Sequence, residues 1–196
     1  MTKGLLSDQV NTKEIEIIIR ELNRVINKKI TGDVVELGCY VGTTTVHLAK
    51  TLMATDKRLY VYDSFEGLPE KTRQDLSPLG QQFQVGELHA TKKQLVKNLT
   101  QARVPMPYIK KAWFSDLIKS DMPEVISFAF LDGDYYGSVI DSLRVIESHL
   151  VSGSVIVVDD YSNAALPGAA RAVDEWLIGR SVVKKIEQSL AIISII

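Results

Sequence analysis

The chain has one cysteine, Cys39, so it can close no internal disulfide and build no cysteine-rich zinc site. A reducing, cytoplasmic setting is the expectation that follows. No apolar run approaches the roughly 20 residues that a membrane-spanning helix needs, and Met1–Lys13 lacks the apolar core of a secretory leader. Excess charge is also absent. With a formal net charge of −1, neither nucleic acid nor an anionic membrane is an expected partner. The dinucleotide fingerprint G-x-G-x-x-G is missing as well. Tyr40 stands at its middle glycine, which leaves Gly38 and Gly42 separated by three residues. A backbone that must approach a pyrophosphate accommodates a tyrosine there poorly, which disfavours a nicotinamide-dependent reductase. What remains is ordinary for a globular protein: 196 residues, 45% hydrophobic and 24% charged, enough for one domain with a sizeable core.

Apolar spacing predicts a leading helix over Glu14–Asn27, within a cap segment 1–31 that precedes the main domain 32–196. Five strands are expected next, at Val34–Leu37, Arg58–Tyr62, Tyr108–Lys111, Ile126–Leu131 and Val155–Val158. Helices are expected at Thr43–Leu52, Glu87–Ala102, Ser138–Leu150 and Pro167–Ile178, and two further strands at Ser181–Glu187 and Ala191–Ile196. This alternation predicts a doubly wound α/β fold. Its sheet is seven-stranded and mostly parallel, Rossmann-like, with an antiparallel C-terminal strand. Ser64 to about Gly86 is one long irregular stretch, the usual form of a functional lid or a disordered loop.

Two of the buried strands end in aspartate pairs, Asp132-Gly133-Asp134 and Asp159-Asp160. On adjacent strands these four carboxylates would repel one another unless a cation sits among them. A hard divalent ion with oxygen ligands is the natural candidate; ordinary strand-end turn chemistry is the alternative. Glu36, inside the first strand, places negative charge beside the glycine loop. That suits a cationic ligand such as a sulfonium. Asp63 ends the second strand, where an acid accepts ribose hydroxyls. Together, Glu36, Gly38, Gly42 and Asp63 suit S-adenosylmethionine better than NAD.

With these residues in place, the chain resembles the class I S-adenosylmethionine-dependent methyltransferases, and within them the macrocin O-methyltransferase-like family. Three segments carry the resemblance: Asp63-Ser64-Phe65-Glu66-Gly67-Leu68-Pro69, Leu131–Ser138, and Ser152–Tyr161 with Pro167–Asp174. The resemblance implies transfer of a methyl group to a hydroxyl of a sugar-containing or polyhydroxylated small molecule. It also implies a divalent cation, usually magnesium, held by Asp132, Asp159 and Asp160. Asp132 or Asp134 would be the base. Cofactor contacts are implied for Glu36, for Gly38, Tyr40 and Gly42 of the loop, for Thr44 at the helix start, and for Asp63, Ser64 and Phe65. Asp132, Trp113 and Phe114 complete them, the last two beside the adenine. Trp113 is otherwise read as packing, and Ala112 stands where the family has glycine.

The glycine loop also resembles that of catechol O-methyltransferases, but their lysine after the first aspartate is replaced here by Tyr135, a poor base at neutral pH. Family members often carry a longer N-terminal substrate cover. Here the cover would come from the loop after Asp63, from a neighbouring subunit such as the second copy of a homodimer, or be absent. A non-catalytic cofactor-binding module on the same fold is the remaining alternative. His47, His89, His149, Cys39 and Trp176 are read as packing or surface residues, and Lys92, Lys93 and Lys97 as a solvated helix face.

Overall fold

The computed structural model describes residues 6–7, 9–80 and 83–196. The absence of a leader core in Met1–Lys13 concerns residues that fall partly outside this range. A seven-stranded sheet runs through the molecule in the order β3-β2-β1-β4-β5-β7-β6. The strands are β1 (Asp33–Leu37), β2 (Leu59–Asp63), β3 (Tyr108–Lys111), β4 (Ile126–Leu131), β5 (Leu150–Val158), β6 (Val182–Glu187) and β7 (Leu190–Ile195). β1 to β5 pair in parallel, and β7 runs antiparallel to both β5 and β6. The sheet therefore has the expected mostly parallel form with one antiparallel strand near its C-terminal edge.

Five helices flank the sheet: α1 (Thr12–Asn27), α2 (Thr43–Leu52), α3 (Lys92–Ala102), α4 (Tyr136–Glu147) and α5 (Pro167–Leu177). β4 is buried along its whole length because both faces are covered. On one face Val34, Phe128 and Val157 pack with Ile18, Leu22, Leu48 and Leu95 of α1, α2 and α3. On the other, Val35, Ala129 and Val158 pack with Leu143, Val173 and Trp176 of α4 and α5. The leading helix thus shares its core with the sheet. No helix among the described residues is long and apolar enough to cross a membrane.

Some boundaries differ from the sequence expectation, each for a local reason. α1 starts two residues earlier because Asn11 caps it: its side chain accepts from the Glu14 N–H while Glu14 accepts from the Asn11 N–H. α3 starts at Lys92 rather than Glu87, because Thr91 Oγ1 accepts the Gln94 N–H at 3.1 Å and so sets the first turn. α4 begins at Tyr136 and ends at Glu147, and β5 begins five residues earlier than expected, at Leu150.

Described parts of the stretch after Asp63 are held by hydrogen bonds. Leu68 and the 86–87 backbone exchange hydrogen bonds of 2.8 and 2.9 Å, which closes its base. A short 3-10 turn, Arg73–Asp75, sits within it. Ser77 Oγ donates to Ala164 O at 2.7 Å, and Arg171 donates to Gln74 O, so the excursion rests on the β5–α5 side of the molecule.

Candidate active site

The chain leaves β1 outward to β2 and β3, then returns to β4 on the other side of β1. Ligands of open α/β sheets bind at such a switch point, beyond the carboxyl ends of the strands. Here those ends are Leu37 and Leu131, followed by Gly38 and Asp132. The two connections touch: a Cβ on Gly38 would lie 1.9 Å from Asp132 O, and Gly38 has φ +93°. Only glycine permits that approach.

Asp63 organises the glycine loop. Its Oδ2 accepts the Cys39 and Tyr40 N–H groups at 2.8 and 3.2 Å, and its Oδ1 accepts the Phe65 N–H at 2.7 Å. Tyr40 and Phe65 both have left-handed φ, +46° and +53°. The sequence expectation gave Asp63 a ribose; the structure shows it holding the loop that faces the cleft.

A cleft opens above this edge. Gly38, Tyr40, Asp63, Ser64, Trp113, Phe114 and Asp132 line it, as do Asp134, Asp159 and Asp160. Trp113 is 37% exposed, too open for a core residue, and presents an aromatic wall with Phe114. Four expected cofactor residues do not line the cleft. Gly42 forms the N-cap of α2, Thr44 is buried in its first turn, and Phe65 packs in the core. Glu36 is fully buried, and its carboxyl is pushed up to about 8 by burial, with the Asp63 charge adding to the rise and Thr45 opposing it.

Carboxylates from both aspartate pairs meet here, in a group other than the expected cation set of Asp132, Asp159 and Asp160. One oxygen each from Asp132, Asp134 and Asp160 lies within 4.8 Å of the others. Asp134 and Asp160 have left-handed φ of +56° and +58°, a conformation aspartate tolerates better than most residues. Asp159 is not one of these three, although its charge acts on both Asp132 and Asp134. Its Oδ1 accepts the Asp160 N–H at 2.8 Å and the Ser189 hydroxyl at 3.0 Å. Burial raises all four carboxyls. The Asp132 carboxyl lies well above the usual range, pushed further by Asp159, Asp134, Asp160 and Glu36. The Asp134 carboxyl is likewise high, with Asp160, Asp159 and Asp63 adding to burial. Asp159 rises to about 7, and Asp160 is raised although Asn163 donates to its Oδ1 at 2.8 Å. The foremost charges acting on Asp132 and Asp134 are other carboxylates. Oxygens of one octahedral shell with bonds of about 2.1 Å lie about 3 to 4 Å apart, so a small contraction fits this donor set to a hard divalent cation.

Several site residues carried no sequence signal. Gln9 reaches the cleft from ahead of α1, and Asn163 from beyond the second aspartate pair. Phe83, Leu88 and Leu166 complete an apolar wall of the cleft with Leu68 and Pro69 of the segment already singled out. Tyr135 is buried behind that wall, 1% exposed, with Leu68 and Leu166 against it. Its phenol is pushed up to about 12 by burial, then by Asp134, Asp75 and Glu87. The side chain at the catechol-lysine position is therefore turned out of the cleft.

The family model for Macrocin-O-methyltransferase (TylF) matches residues 9–193. The chain belongs to this family. Two relatives within reach of the family are a tetracenomycin 4'-O-methyltransferase of Streptomyces olivaceus, full name 8-demethyl-8-(2,3-dimethoxy-alpha-L-rhamnosyl)-tetracenomycin-C 4'-O-methyltransferase, and the demethyldecarbamoylnovobiocin O-methyltransferase of Streptomyces niveus. The first is 26% identical over 162 residues, 78% of this chain and 62% of the relative. The second is 25% identical over 183 residues, 85% of this chain and 66% of the relative. The chain thus spans a little under two thirds of the length of these relatives. The solved structure of the O-methyltransferase NovP superposes with a TM-score of 0.81 at 22% identity, covering 95% of this chain and 81% of that one, and so shares the fold.

Proposed function

We propose that the chain transfers a methyl group from S-adenosylmethionine to a hydroxyl of a sugar-containing or polyhydroxylated small molecule, with a divalent cation at the aspartate cluster. The observation that carries this reading is the meeting of three carboxylate oxygens within 4.8 Å at the same cleft as the glycine loop and the aromatic wall. Membership of the family supports methyl transfer, and the rhamnosyl group in the name of the Streptomyces olivaceus relative supports a hydroxyl on a glycosylated metabolite.

Asp132 and Asp160 would hold the cation, with Asp159, outside the group of three oxygens but the foremost charge on Asp132 after burial, as the third carboxylate. A bound divalent ion supplies Lewis acidity, which lowers the pKa of an acceptor hydroxyl. Asp134 takes the proton from that hydroxyl. Its carboxylate oxygen lies within 4.8 Å of those of Asp132 and Asp160, within reach of a hydroxyl held there. S-adenosylmethionine supplies a methyl group on a sulfonium, and one O–CH3 bond forms as one S–CH3 bond breaks. Trp113 and Phe114 flank the adenine, and the loop held by Asp63 shapes the floor beneath the methionine portion. The apolar wall of Leu68, Phe83, Leu88 and Leu166 excludes water from the side of the acceptor and orients it against the carboxylates. The buried Tyr135 argues against catechol-type chemistry, which needs a base at that position.

The test is transfer of labelled methyl from S-adenosylmethionine to a panel of rhamnosyl and other deoxysugar glycosides, with magnesium and with EDTA. The reading expects product that EDTA abolishes and magnesium restores. Binding of S-adenosylhomocysteine without turnover on any panel member, and without any effect of metal, favours a cofactor-binding module instead.

A further inference from the structure

We propose that Ser189, in the turn between β6 and β7, is a positioning residue that sets the orientation of Asp159 for the cation site. This rests on the reading above, in which Asp159 is a ligand.

The turn is built to deliver this hydroxyl. Gln188 adopts φ +55°, which reverses the chain and aims Ser189 at the aspartate edge. Ser189 Oγ lies 3.0 Å from Asp159 Oδ1 and 2.7 Å from Glu14 Oε1. Its carbonyl accepts the Ser162 N–H at 3.1 Å, so the turn grips the loop after Asp160 by backbone as well. Glu14 is fixed in turn: its Oε2 accepts the Asn11 N–H at 2.9 Å in the cap of α1. The hairpin itself is tied to α1. Arg20 donates to both oxygens of Glu187 at 2.7 and 3.0 Å, and Arg24 donates to Ser194 Oγ at 2.9 Å.

A hydroxyl carries one proton, so Ser189 satisfies only one of its two carboxylate neighbours at a time. When it donates to Asp159, Oδ1 holds two donors, Ser189 and the Asp160 N–H, and the carboxylate plane is fixed with Oδ2 free. When it donates to Glu14, Asp159 keeps a single donor and can turn. A cation beside Asp132 and Asp160 selects the first arrangement. Hydrogen-bonding partners of ligating groups are worth about 10- to 100-fold in metal affinity, and Ser189 occupies that place for Asp159.

The experiment titrates Mn2+ against the full chain by electron paramagnetic resonance, for the unmodified protein, Ser189→Ala and Ser189→Thr. Thermal unfolding in EDTA and calorimetric affinity for S-adenosylhomocysteine are measured beside it. The expected result is Mn2+ binding weakened about 10-fold by Ser189→Ala, recovered by Ser189→Thr, with melting temperature and S-adenosylhomocysteine affinity unchanged. Equal Mn2+ affinity in the unmodified protein and Ser189→Ala overturns this inference and leaves the cation site standing. No Mn2+ binding by the unmodified protein overturns the cation site itself. A lowered melting temperature for Ser189→Ala that tracks its lost Mn2+ affinity overturns the positioning role in favour of a structural one.

Discussion

Asp75, which the sequence did not single out, joins two distant elements through one carboxylate. α4 starts at Tyr136, one residue beyond Asp134's neighbour Tyr135, and Tyr135 supplies no side-chain cap. The first N–H groups of a helix need partners. Asp75 provides one from 61 positions away: its Oδ1 accepts the Tyr136 N–H at 2.7 Å. Its Oδ2 accepts the Thr72 N–H and hydroxyl at 2.8 and 2.7 Å. One buried carboxylate, 3% exposed, therefore both caps α4 and ties down the loop after β2. In Asp75→Asn only one side-chain oxygen survives, so either the helix cap or the Thr72 pair is lost. A hydrogen bond to a charged group contributes about 1.5 to 3 kcal/mol, so the loss is about 2 kcal/mol, or about 30-fold in the local opening equilibrium. Amide exchange read by mass spectrometry should speed up together at 72–76 and at the start of α4, and the urea midpoint should fall. Gly168→Ala supplies a second arm, since its new Cβ would sit 1.9 Å from Asp75 Oδ1 and 2.7 Å from Tyr136 N and so disrupt the same contact. Unchanged exchange at Tyr136 in both variants would refute the capping argument.

Three further outcomes follow from the same geometry. Asp63→Asn should release either the Cys39 and Tyr40 amides or the Phe65 amide and weaken S-adenosylhomocysteine binding about 10-fold or more by calorimetry, since at least one hydrogen bond to a charged group is lost; undiminished affinity would show the loop holds without it. Trp113→Ala should weaken S-adenosylhomocysteine by about 1 to 3 kcal/mol, the worth of stacking a base on an aromatic side chain, while urea stability stays unchanged because the side chain is 37% exposed. The metal-free protein should lose stability as pH rises. The folded state holds the Asp159 proton more tightly than the unfolded state, from the ordinary 3.8 up to about 7, so stability is full below about pH 4 on this account and declines through pH 7. Urea titrations across that window should show the decline in EDTA and a flatter profile with magnesium; a rise with pH in EDTA would contradict the assignment.

The strands, the aspartate pairs and the glycine loop were legible because each is local. Continuous β-branched runs mark buried strands, and Asp132, Asp134, Asp159 and Asp160 follow directly from where β4 and β5 stop. Parallel pairing then brings the pairs together without further information. Helix starts were less legible, since Thr91 and Asn11 act through side-chain caps that compete with the apolar pattern. What sequence could not show is contact across long separations. Asp75 meets Tyr136, Ser189 meets Asp159 and Glu14, and Leu68 meets Leu166 only after the sheet has formed. The roles of Glu36, Thr44 and Phe65 were assigned from position beside the loop, and position does not reveal that burial removes all three from the cleft wall.

The central claim is that a cation and the methyl donor share the edge where β1, β4 and β5 end. Crystals grown with S-adenosylhomocysteine and Mn2+ test it through anomalous scattering at the manganese edge. The account predicts one strong peak between Asp132 and Asp160, with ordered S-adenosylhomocysteine beside it against Trp113. Ordered S-adenosylhomocysteine in that cleft with no anomalous peak among the aspartates would contradict it.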